Sequence, residues 1–412
     1  MQNRRRFIRN SLLTVAGTGL SAGICKALRK LSETHGRSII RTLGKTDISL
    51  PVVSMGTSST SNPALIKAAL DNGIKLFATA AAYQEGNNEK MIGDVLKDAP
   101  RDSFLVLTNS FDIQWIDTPT GILKPGFRQD ELLKRARASL KRLGVEYLDF
   151  FTQPFAARRE SVIHDQALRA METLKHEGIT RFTGIATHRY EPEAIRAAAD
   201  SGVHDFIMTS YNFMKENREE LGEAIQYAAD AGLGIIAMKT MAGAYFDKER
   251  TKPVNTRAAL KWVIQNSNIH TTVPDCTSFE QLSQNIGTMA EPELTDEEWK
   301  DLYPSTGQHY SEIFCRQCGM CLQDCPYKVD IPTFMRSYMY AYGYHDMIRA
   351  ETALTEAGLT GNPCSDCTVC LANCRMGNDI RKKICDVTGI PEISGGQTKG
   401  GNYLSHNNNA DK

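Results

Sequence analysis

Eight cysteines in the last hundred residues are spaced as ligands of iron-sulfur clusters. They form two motifs with the same internal steps, Cys315, Cys318, Cys321 and Cys325, then Cys364, Cys367, Cys370 and Cys374. Three thiolates at steps of three residues can surround one [4Fe-4S] cubane, and in two-cluster proteins the fourth cysteine of each motif binds the other cluster. We therefore predict two clusters with crossed ligands, so that Cys374 completes the first set and Cys325 the second.

Zinc is the alternative ligand for these motifs. Zinc sites usually pair two C-x2-C units and do not need a third cysteine at the same step, so clusters are favoured. Disulfides are disfavoured because cysteines this close in sequence have no obvious partners. We assign residues 305–390 to a small, mainly α-helical, ferredoxin-like domain. Residues 391–412 lack hydrophobic periodicity and are predicted to be a disordered tail.

The segment before the cysteines alternates short β-rich runs with helical patterns eight times. This alternation is typical of parallel βα units, and eight of them over about 250 residues predict a (β/α)8 TIM barrel, placed at residues 37–300. An open, doubly wound sheet is the alternative, but no Gly-x-Gly-x-x-Gly follows the first strand. The predicted strands are 51–54, 76–80, 104–109, 147–153, 182–187, 206–211, 234–239 and 271–274.

Polar residues at the predicted strand ends are candidates for chemistry, because active sites of such barrels lie at the C-terminal ends of the strands. His188 has an ordinary pKa near 6.5, which suits proton transfer at neutral pH. Tyr83 and Lys239 could hold a substrate oxygen and stabilise developing negative charge. We predict these three as catalytic, with a structural role as the alternative. The predicted substrate-binding residues are Asn109, Gln153, Tyr211 and Asn212.

Residues 37–290 resemble the aldo-keto reductase family. The similar stretches are 41–46, 178–188, 237–239 and 259–263, together with Tyr83 and the pair Tyr211-Asn212. The resemblance implies a TIM barrel with oxidoreductase chemistry. It also implies four catalytic positions: a Tyr acid, a Lys and an Asp that tune it, and a His that orients the carbonyl.

Only the Tyr of that set is retained, as Tyr83. Ala78 stands at the Asp position, Asn109 at the Lys position and Gln153 or Pro154 at the His position. An unperturbed Tyr has a pKa near 10, so ionising it at pH 7 without a neighbouring cation costs about 4 kcal/mol. Tyr83 is therefore expected to be a poor catalyst by the family's mechanism.

The residue implied to bind the cofactor's phosphate also differs from the family. Asp275 stands where the resemblance implies a phosphate-clamping Lys, and a carboxylate there would repel a 2′-phosphate. We therefore do not expect nicotinamide to bind in the family's usual mode.

The N-terminal residues are predicted to be an export signal. Arg4-Arg5-Arg6-Phe7-Ile8 precedes a weakly apolar stretch, and this order is similar to a twin-arginine signal. We assign residues 1–35 to the signal and a linker, which places the protein in the periplasm or outside the cell. An amphipathic or disordered arm on a cytoplasmic protein is the alternative. The apolar stretch is too short and mild to span a bilayer.

Composition excludes several other classes. With 41% hydrophobic and 23% charged residues among 412, the chain is neither disordered nor fibrous. Lys plus Arg equals Asp plus Glu at 48 each, so no global charge attracts nucleic acid. Seven of the basic residues lie within residues 1–30, which contain no acid, so the remainder is mildly acidic.

These features predict an exported redox enzyme. Its barrel would bind a small carbonyl or hydroxyl compound, for example a sugar, and its clusters would exchange electrons with a redox partner protein or a quinone-linked donor or acceptor. Twin-arginine export suits it, because that route carries proteins already folded around their cofactors. Two alternatives stay open: an electron-transfer or binding protein with a catalytically dead barrel, and a conventional NAD(P)H-dependent reductase.

Overall fold

The computed structural model describes residues 38–109, 115–117, 120–153, 156–215, 217–247, 250–303, 315, 319–344, 346–374 and 378–390. The predicted export signal, Pro154, Cys318 and the predicted tail lie outside the described residues.

Eight parallel strands form a nearly closed barrel. The strands of the described chain are β1 Ile40–Thr42, β2 Ser49–Pro51, β3 Met55–Gly56, β4 Leu76–Ala78, β5 Leu105–Asn109, β6 Ile116–Asp117, β7 Ile122–Leu123, β8 Leu148–Gln153, β9 Thr180–Thr187, β10 Phe206–Ser210, β11 Gly234–Met238 and β12 Thr271–Thr272. The barrel order is β3-β4-β5-β8-β9-β10-β11-β12. Bridges from Val53 to Thr272 and from Gly56 to Asp275 join the first strand to the last. The prediction of a (β/α)8 barrel is confirmed.

Helices cover the outside of the barrel. They are α1 Pro63–Asp71, α2 Asn87–Leu96, α3 Gln129–Leu143, α4 Arg159–Val162, α5 Asp165–His176, α6 Glu191–Ser201, α7 Arg218–Asp230, α8 Thr256–Gln265, α9 Phe279–Thr288 and α10 Asp296–Leu302. The residues at the helix ends determine where the helices begin. At the start of α1, the Asn62 side chain accepts a hydrogen bond from the backbone N–H of Ala64, and Pro63 occupies the first helical position. On α3, buried Leu133 and Ala136 face the sheet.

Two antiparallel hairpins were not predicted. β1 pairs with β2, and β6 pairs with β7. The turn after β1 lies against the start of β11, where the Lys45 N–H donates to the carbonyl of Gly232 at 2.9 Å. Leu43 is fully buried in the cluster that fills the barrel interior, so the first hairpin closes the N-terminal end of the barrel. Most of the predicted site residues of the barrel lie at the opposite end, where the strands have their C-terminal ends.

The region after the barrel is helical. It contains α11 Ile331–Tyr338, a π-helical turn at Met339–Tyr344, α12 Met347–Glu356 and α13 Ile380–Thr388. Phe334, Leu354 and Ile384, one from each α-helix, meet in its core. Several cysteines pack against this core, so the predicted cluster ligands lie within one folded unit, called here the C-terminal domain. No helix of the described chain is long and apolar enough to cross a membrane.

Candidate active site and cysteine clusters

The C-terminal ends of the barrel strands carry most of the predicted site residues. Tyr83 begins the short helix Tyr83–Gly86 after β4, His188 follows β9, and Lys239 follows β11. Tyr83 lies within electrostatic range of Lys239, and Lys239 lies within range of His188. The structure therefore brings the three predicted catalytic residues to one opening, called here the barrel mouth.

The C-terminal domain reaches the barrel mouth through Arg349 on α12. Its guanidinium carbon lies 5.2 Å from the ring centroid of Tyr83. The same guanidinium donates to the carbonyl of Ser58 at 2.8 Å and to its hydroxyl at 3.3 Å. Burial raises the pKa of Tyr83 above its usual value although the positive charge of Arg349 opposes it. Tyr83 is therefore a neutral hydrogen-bond donor at physiological pH.

A buried hydrogen-bond network holds the loop that Arg349 contacts. Asn88 on α2 accepts from the hydroxyls of Thr57 and Thr79 at 2.8 and 2.7 Å and donates to the carbonyls of Thr57 and Thr60 at 2.9 and 3.0 Å. All polar atoms of its amide are thus used, which fixes the path of residues 57–60. The carbonyl of Ser58 is thereby positioned for Arg349.

Asp275, predicted to alter the cofactor position, binds the same loop. Its carboxylate accepts from the backbone N–H of Ser58 at 2.9 Å and from the hydroxyls of Ser58 and, at 3.1 Å, Ser59. A Cβ on Gly56 would lie 2.7 Å from this carboxylate, so only glycine allows the close approach. Asp275 therefore ties the end of the barrel sheet to its first loop.

Lys239 adopts a backbone conformation that is uncommon outside glycine, with φ of 56°. Asn212 supports it, because its amide donates to the carbonyl of Lys239 at 3.0 Å and accepts from the N–H of Met214 at 3.1 Å. The predicted substrate-binding residue Asn212 thus uses its side chain to fix the strand end that carries Lys239. Non-glycine residues at such angles cluster at functional sites.

His188 lies in a positive environment. Burial lowers its pKa well below 6.5, and the charges of Lys239, Arg336 and Lys215 lower it further. The imidazole is therefore neutral at physiological pH, which differs from the ordinary pKa expected from sequence. A neutral imidazole can donate or accept a hydrogen bond, but it does not carry a proton at pH 7.

Asn109 and Gln153 end neighbouring strands β5 and β8 and stand where the family resemblance implied Lys and His. The Gln153 amide donates to the carbonyl of Ser161 at 2.7 Å. Within the described chain, the buried side-chain oxygens of Asn109 and Gln153 have no hydrogen-bond partner. Asn109 follows the inward-facing Leu105 and Leu107 on β5, so its unpaired oxygen is a candidate acceptor for a ligand, whereas the Gln153 side chain is held by Ser161 of the outer helix α4.

Tyr211 does not reach the barrel mouth, contrary to the prediction that it binds substrate. Its ring packs on Trp262 of α8 with centroids 5.1 Å apart, and its hydroxyl accepts from the Asn266 amide at 3.3 Å. It belongs to the apolar layer between sheet and outer helices. The strand-end rule failed here because the side chain points outward from the barrel.

Sequence reasoning also missed the residues that the C-terminal domain contributes. Arg336, Tyr340 and Arg349 all lie within electrostatic range of the barrel residues. The sequence carries a signal for them, since tyrosines occupy positions 338, 340, 342 and 344, between two arginines. The segment 339–344 is a π-helical turn, and such turns occur frequently at functional sites.

One cavity in the C-terminal domain joins the two cysteine motifs. Its volume is about 190 Å³, and its lining includes Cys325, Cys364, Cys367 and Cys370. Cys325 comes from the first motif and the other three from the second. Burial, together with the smaller effect of the neighbouring sulfurs, raises the pKa of the Cys364 thiol to about 12. Four thiols around one cavity suit a cubane, whose iron charge would stabilise their thiolates.

Three cysteines of the other predicted set, Cys315, Cys321 and Cys374, pack against the core of the same domain. The Asn378 amide donates to the sulfur of Cys374 at 3.4 Å. Gly319, within the first cysteine motif, lies against the barrel. A Cβ atom on Gly319 would be 2.6 Å from the hydroxyl of Tyr190, a residue that follows β9. The first motif is therefore the one beside the barrel.

The described residues contain no group of three or more His, Cys, Asp or Glu side chains that could hold a single metal ion. The thiols instead line a cavity, with Ile331, Ile380 and Ile384 among its apolar walls. Thiols from both motifs around one cavity are the donor set of an iron-sulfur cluster, so the residues present fit that group.

Sequence comparisons agree with both parts of the chain. The aldo/keto reductase family profile matches residues 53–258, and that of a 4Fe-4S dicluster domain matches residues 314–379. An uncharacterized oxidoreductase, YqkF, of Bacillus subtilis is 22% identical over 302 residues, which cover 65% of this chain and 96% of that protein. The NADH-specific methylglyoxal reductase of Escherichia coli is 24% identical over 310 residues, covering 60% and 92%.

Solved structures show the same barrel. The holo form of aldo-keto reductase AKR11C1 from Bacillus halodurans aligns with a TM-score of 0.53 at 20% identity, covering 64% of this chain and 95% of that one. The thermostable aldo-keto reductase Tm1743 with the inhibitor epalrestat aligns with a TM-score of 0.51 at 20% identity, covering 64% and 98%. Because the family profile spans half of the sequence, the chain belongs to the aldo/keto reductase family of oxidoreductases.

Proposed function

We propose that this protein is an exported iron-sulfur oxidoreductase that interconverts a small hydroxyl compound, for example a sugar, and its carbonyl form. Electrons would pass through two [4Fe-4S] clusters to or from a redox partner protein or a quinone-linked carrier. The observation that carries the proposal is the placement of Arg349, which attaches the cysteine-bearing domain to the barrel mouth through Ser58 and Tyr83.

The order of the parts suits electron transfer. The first cysteine motif touches the barrel at Tyr190, two residues after His188. The cavity lined by the second motif is flanked by Val369 and Leu371, which are 70% and 63% exposed. A route from substrate to surface would therefore run through the barrel, the first cluster and the second cluster. The exposed edge is where a partner would exchange electrons.

The electron count also fits two clusters. Oxidation of a hydroxyl to a carbonyl releases two electrons and two protons. A [4Fe-4S] cluster, when bound, takes up or supplies one electron, so two clusters match one substrate molecule. Cys315, Cys318, Cys321 and Cys374 would hold one, and Cys325, Cys364, Cys367 and Cys370 the other.

The barrel residues would bind and orient the substrate. Neutral Tyr83 donates a hydrogen bond to the substrate oxygen, and Lys239 stabilises negative charge that develops there. Neutral His188 adds a further hydrogen bond. The unpartnered oxygen of Asn109 accepts from a hydroxyl group elsewhere on the substrate, which supports a hydroxylated compound such as a sugar.

An anaerobic screen of sugars, hydroxy acids and carbonyl compounds tests this proposal. We expect one compound to change the visible absorption of the clusters. Bleaching of oxidised clusters would show that the compound is oxidised, and return of colour to reduced clusters would show that it is reduced. A Lys239→Met variant with intact clusters is the control and should respond at least about 100-fold more slowly. If no compound changes the spectrum, the alternative of a catalytically dead barrel is favoured.

Nicotinamide-dependent reduction is the second candidate, supported by the similarity to a relative named for NADH. It predicts that NADH binds the protein and is oxidised by a carbonyl compound, with no need for the clusters. Retained NADH-dependent turnover in a cluster-free Cys374→Ser, Cys325→Ser double variant would favour this candidate over the first.

A further inference from the structure

Tyr340, in the π-helical turn of the C-terminal domain, lies between two cations from different domains. Lys239 Nζ of the barrel is 5.6 Å from its ring centroid, and the guanidinium carbon of Arg349 is 5.5 Å from it. Arg336, one turn earlier on α11, adds a third positive charge. The acidic groups that face these cations are Asp346, 3.5 Å from Arg349, Glu356 beside Arg336, and Asp275 of the barrel, which also lies within electrostatic range of Arg349. Tyr340 itself is mostly buried, with a smaller part of the residue exposed.

Two tyrosines share the Arg349 guanidinium, yet their surroundings differ. For Tyr83, burial dominates and its pKa is raised. For Tyr340, burial also disfavours the charged form, but Lys239, Arg349 and Arg336 together lower its pKa below the usual value near 10. The tyrosine that can give up and recover its proton at the barrel mouth is therefore the one supplied by the C-terminal domain.

We propose that Tyr340 is the residue that exchanges the oxygen-bound proton with the substrate, so that the C-terminal domain completes the active site of the barrel. This rests on the function proposed above. In the reducing direction the carbonyl compound gains two electrons and two protons. The O–H bond of Tyr340 breaks, a new O–H bond forms on the former carbonyl oxygen, and the phenolate left behind is stabilised by Lys239 and Arg349. When bound, the clusters would supply the two electrons, one each. A solvent proton forms the new C–H bond at the former carbonyl carbon, and a further solvent proton restores the Tyr340 hydroxyl.

This role accounts for the absence of a cation beside the proton donor within the barrel. The family resemblance implied a cation from the third barrel strand beside the proton donor, where this chain has Asn109. Here the cations lie around Tyr340 instead, from β11, α11 and α12. Proton transfer by a positioned side chain contributes about 100- to 10,000-fold to a rate.

Two measurements on the full-length protein with its clusters test the proposal. The first is an anaerobic ultraviolet titration of tyrosinate, in which the pH 7 spectrum of each protein is subtracted from its spectra at higher pH to remove the cluster absorption. We expect one tyrosine that ionises below pH 10 in the wild type, absent in Tyr340→Phe and moved to higher pH in Lys239→Met. The matched control is Tyr342→Phe on the same turn, whose hydroxyl donates to the carbonyl of Asp386 at 3.0 Å, away from the barrel. If the low titration survives in Tyr340→Phe, the proposal is wrong.

The second measurement uses the compound found by the cluster-colour screen. Tyr340→Phe should lower kcat by at least about 100-fold with KM nearly unchanged, and 3-fluorotyrosine at this position should move the pH profile of kcat to lower pH. Full kcat in Tyr340→Phe, with an active wild type, overturns this proposal alone. A wild type that turns over no compound overturns the proposed function, and this assignment with it.

Discussion

Arg349 lies over the ring of Tyr83, with its guanidinium carbon 5.2 Å from the ring centroid, although 266 positions separate the two residues in the sequence. The contact joins the cysteine-bearing domain to Tyr83, the residue for which the family resemblance implied the role of an acid. Because Arg349 also contacts Tyr340, one guanidinium connects the two tyrosines at the barrel mouth. The barrel and the C-terminal domain therefore share one site.

Replacing Arg349 should loosen this attachment. Arg349→Met removes two hydrogen bonds to Ser58, and hydrogen bonds of charged groups contribute about 1.5–3 kcal/mol each. We expect faster amide hydrogen exchange in residues 57–60, by about ten-fold or more. The matched control is Arg137→Met on α3, whose partner is the exposed Glu177. Equal exchange in residues 57–60 for both variants would show that Arg349 does not hold the loop.

The crossed cysteine assignment predicts which cluster each substitution damages. The wild type should contain about eight iron atoms per chain, and each fourth-cysteine variant should lose one cluster while the other persists. Cys325→Ser should damage the cluster of Cys364, Cys367 and Cys370, because these four thiols line one cavity. Iron analysis and electron paramagnetic resonance measure the outcome.

Cys374→Ser is the complementary variant, and it should affect the other cluster's spectrum. Cys276→Ala, a buried barrel cysteine, is the control and should keep all the iron. Stoichiometric zinc without labile sulfide in the wild type would contradict the cluster assignment.

The fold was predictable because its signals are local and repeated. Each βα unit carries its own apolar periodicity and turn residues, so the barrel and its C-terminal rim followed from the sequence. The same rule placed Tyr83, His188 and Lys239 at one end of the barrel, where Lys239 lies within electrostatic range of the other two. It failed for Tyr211, since a strand's last residue can point outward to the helices and no pattern distinguished this from the inward direction.

The contribution of the second domain could not be predicted in this way. Arg349 and Tyr340 reach the site through docking of one domain on another, and contacts between distant segments leave no periodicity in the sequence. The lowered pKa of His188 has this origin only in part, because burial and Lys239 are its largest causes and Arg336 of the C-terminal domain adds to them. The sequence-based expectation treated the imidazole as if the barrel stood alone.

Export depends on the arginine pair itself if the N-terminal segment is a twin-arginine signal. Changing Arg4→Lys together with Arg5→Lys keeps the charge but removes the two guanidinium groups, so we expect the protein to stay in the cytoplasm. Arg6→Lys, just beyond the pair, is the control and should be exported. Fractionation with immunoblotting measures the distribution. Unchanged periplasmic recovery of the double variant would contradict this prediction.

A buried histidine at the base of the barrel should make stability depend on pH. Burial lowers the pKa of His204 from 6.5 to about 4. Between these pH values the imidazole is therefore protonated in the unfolded chain and neutral in the folded chain. The contribution of His204 to the free energy of unfolding is fully present above pH 6.5. It falls by about 3 kcal/mol as the pH drops toward 4. Denaturant unfolding of His204→Met should show a shallower loss over this range, whereas His176→Asn, an exposed histidine on α5, should follow the wild type.

His188 should contribute to turnover as a neutral group. Because burial and the charges of Lys239, Arg336 and Lys215 lower its pKa well below 6.5, protonation of His188 should not produce a limb near pH 6.5 in the profile of kcat. With the substrate found by the screen, His188→Ala should lower kcat by at least about 100-fold, because a positioned hydrogen bond to the reacting oxygen is lost. His188→Gln keeps a neutral donor and should recover part of that loss, while the visible spectrum of the clusters stays intact in both variants. Wild-type turnover in His188→Ala would remove this residue from the mechanism. A limb near pH 6.5 that disappears in His188→Gln would instead show that the imidazole exchanges the proton, and Tyr340 would then lose that role.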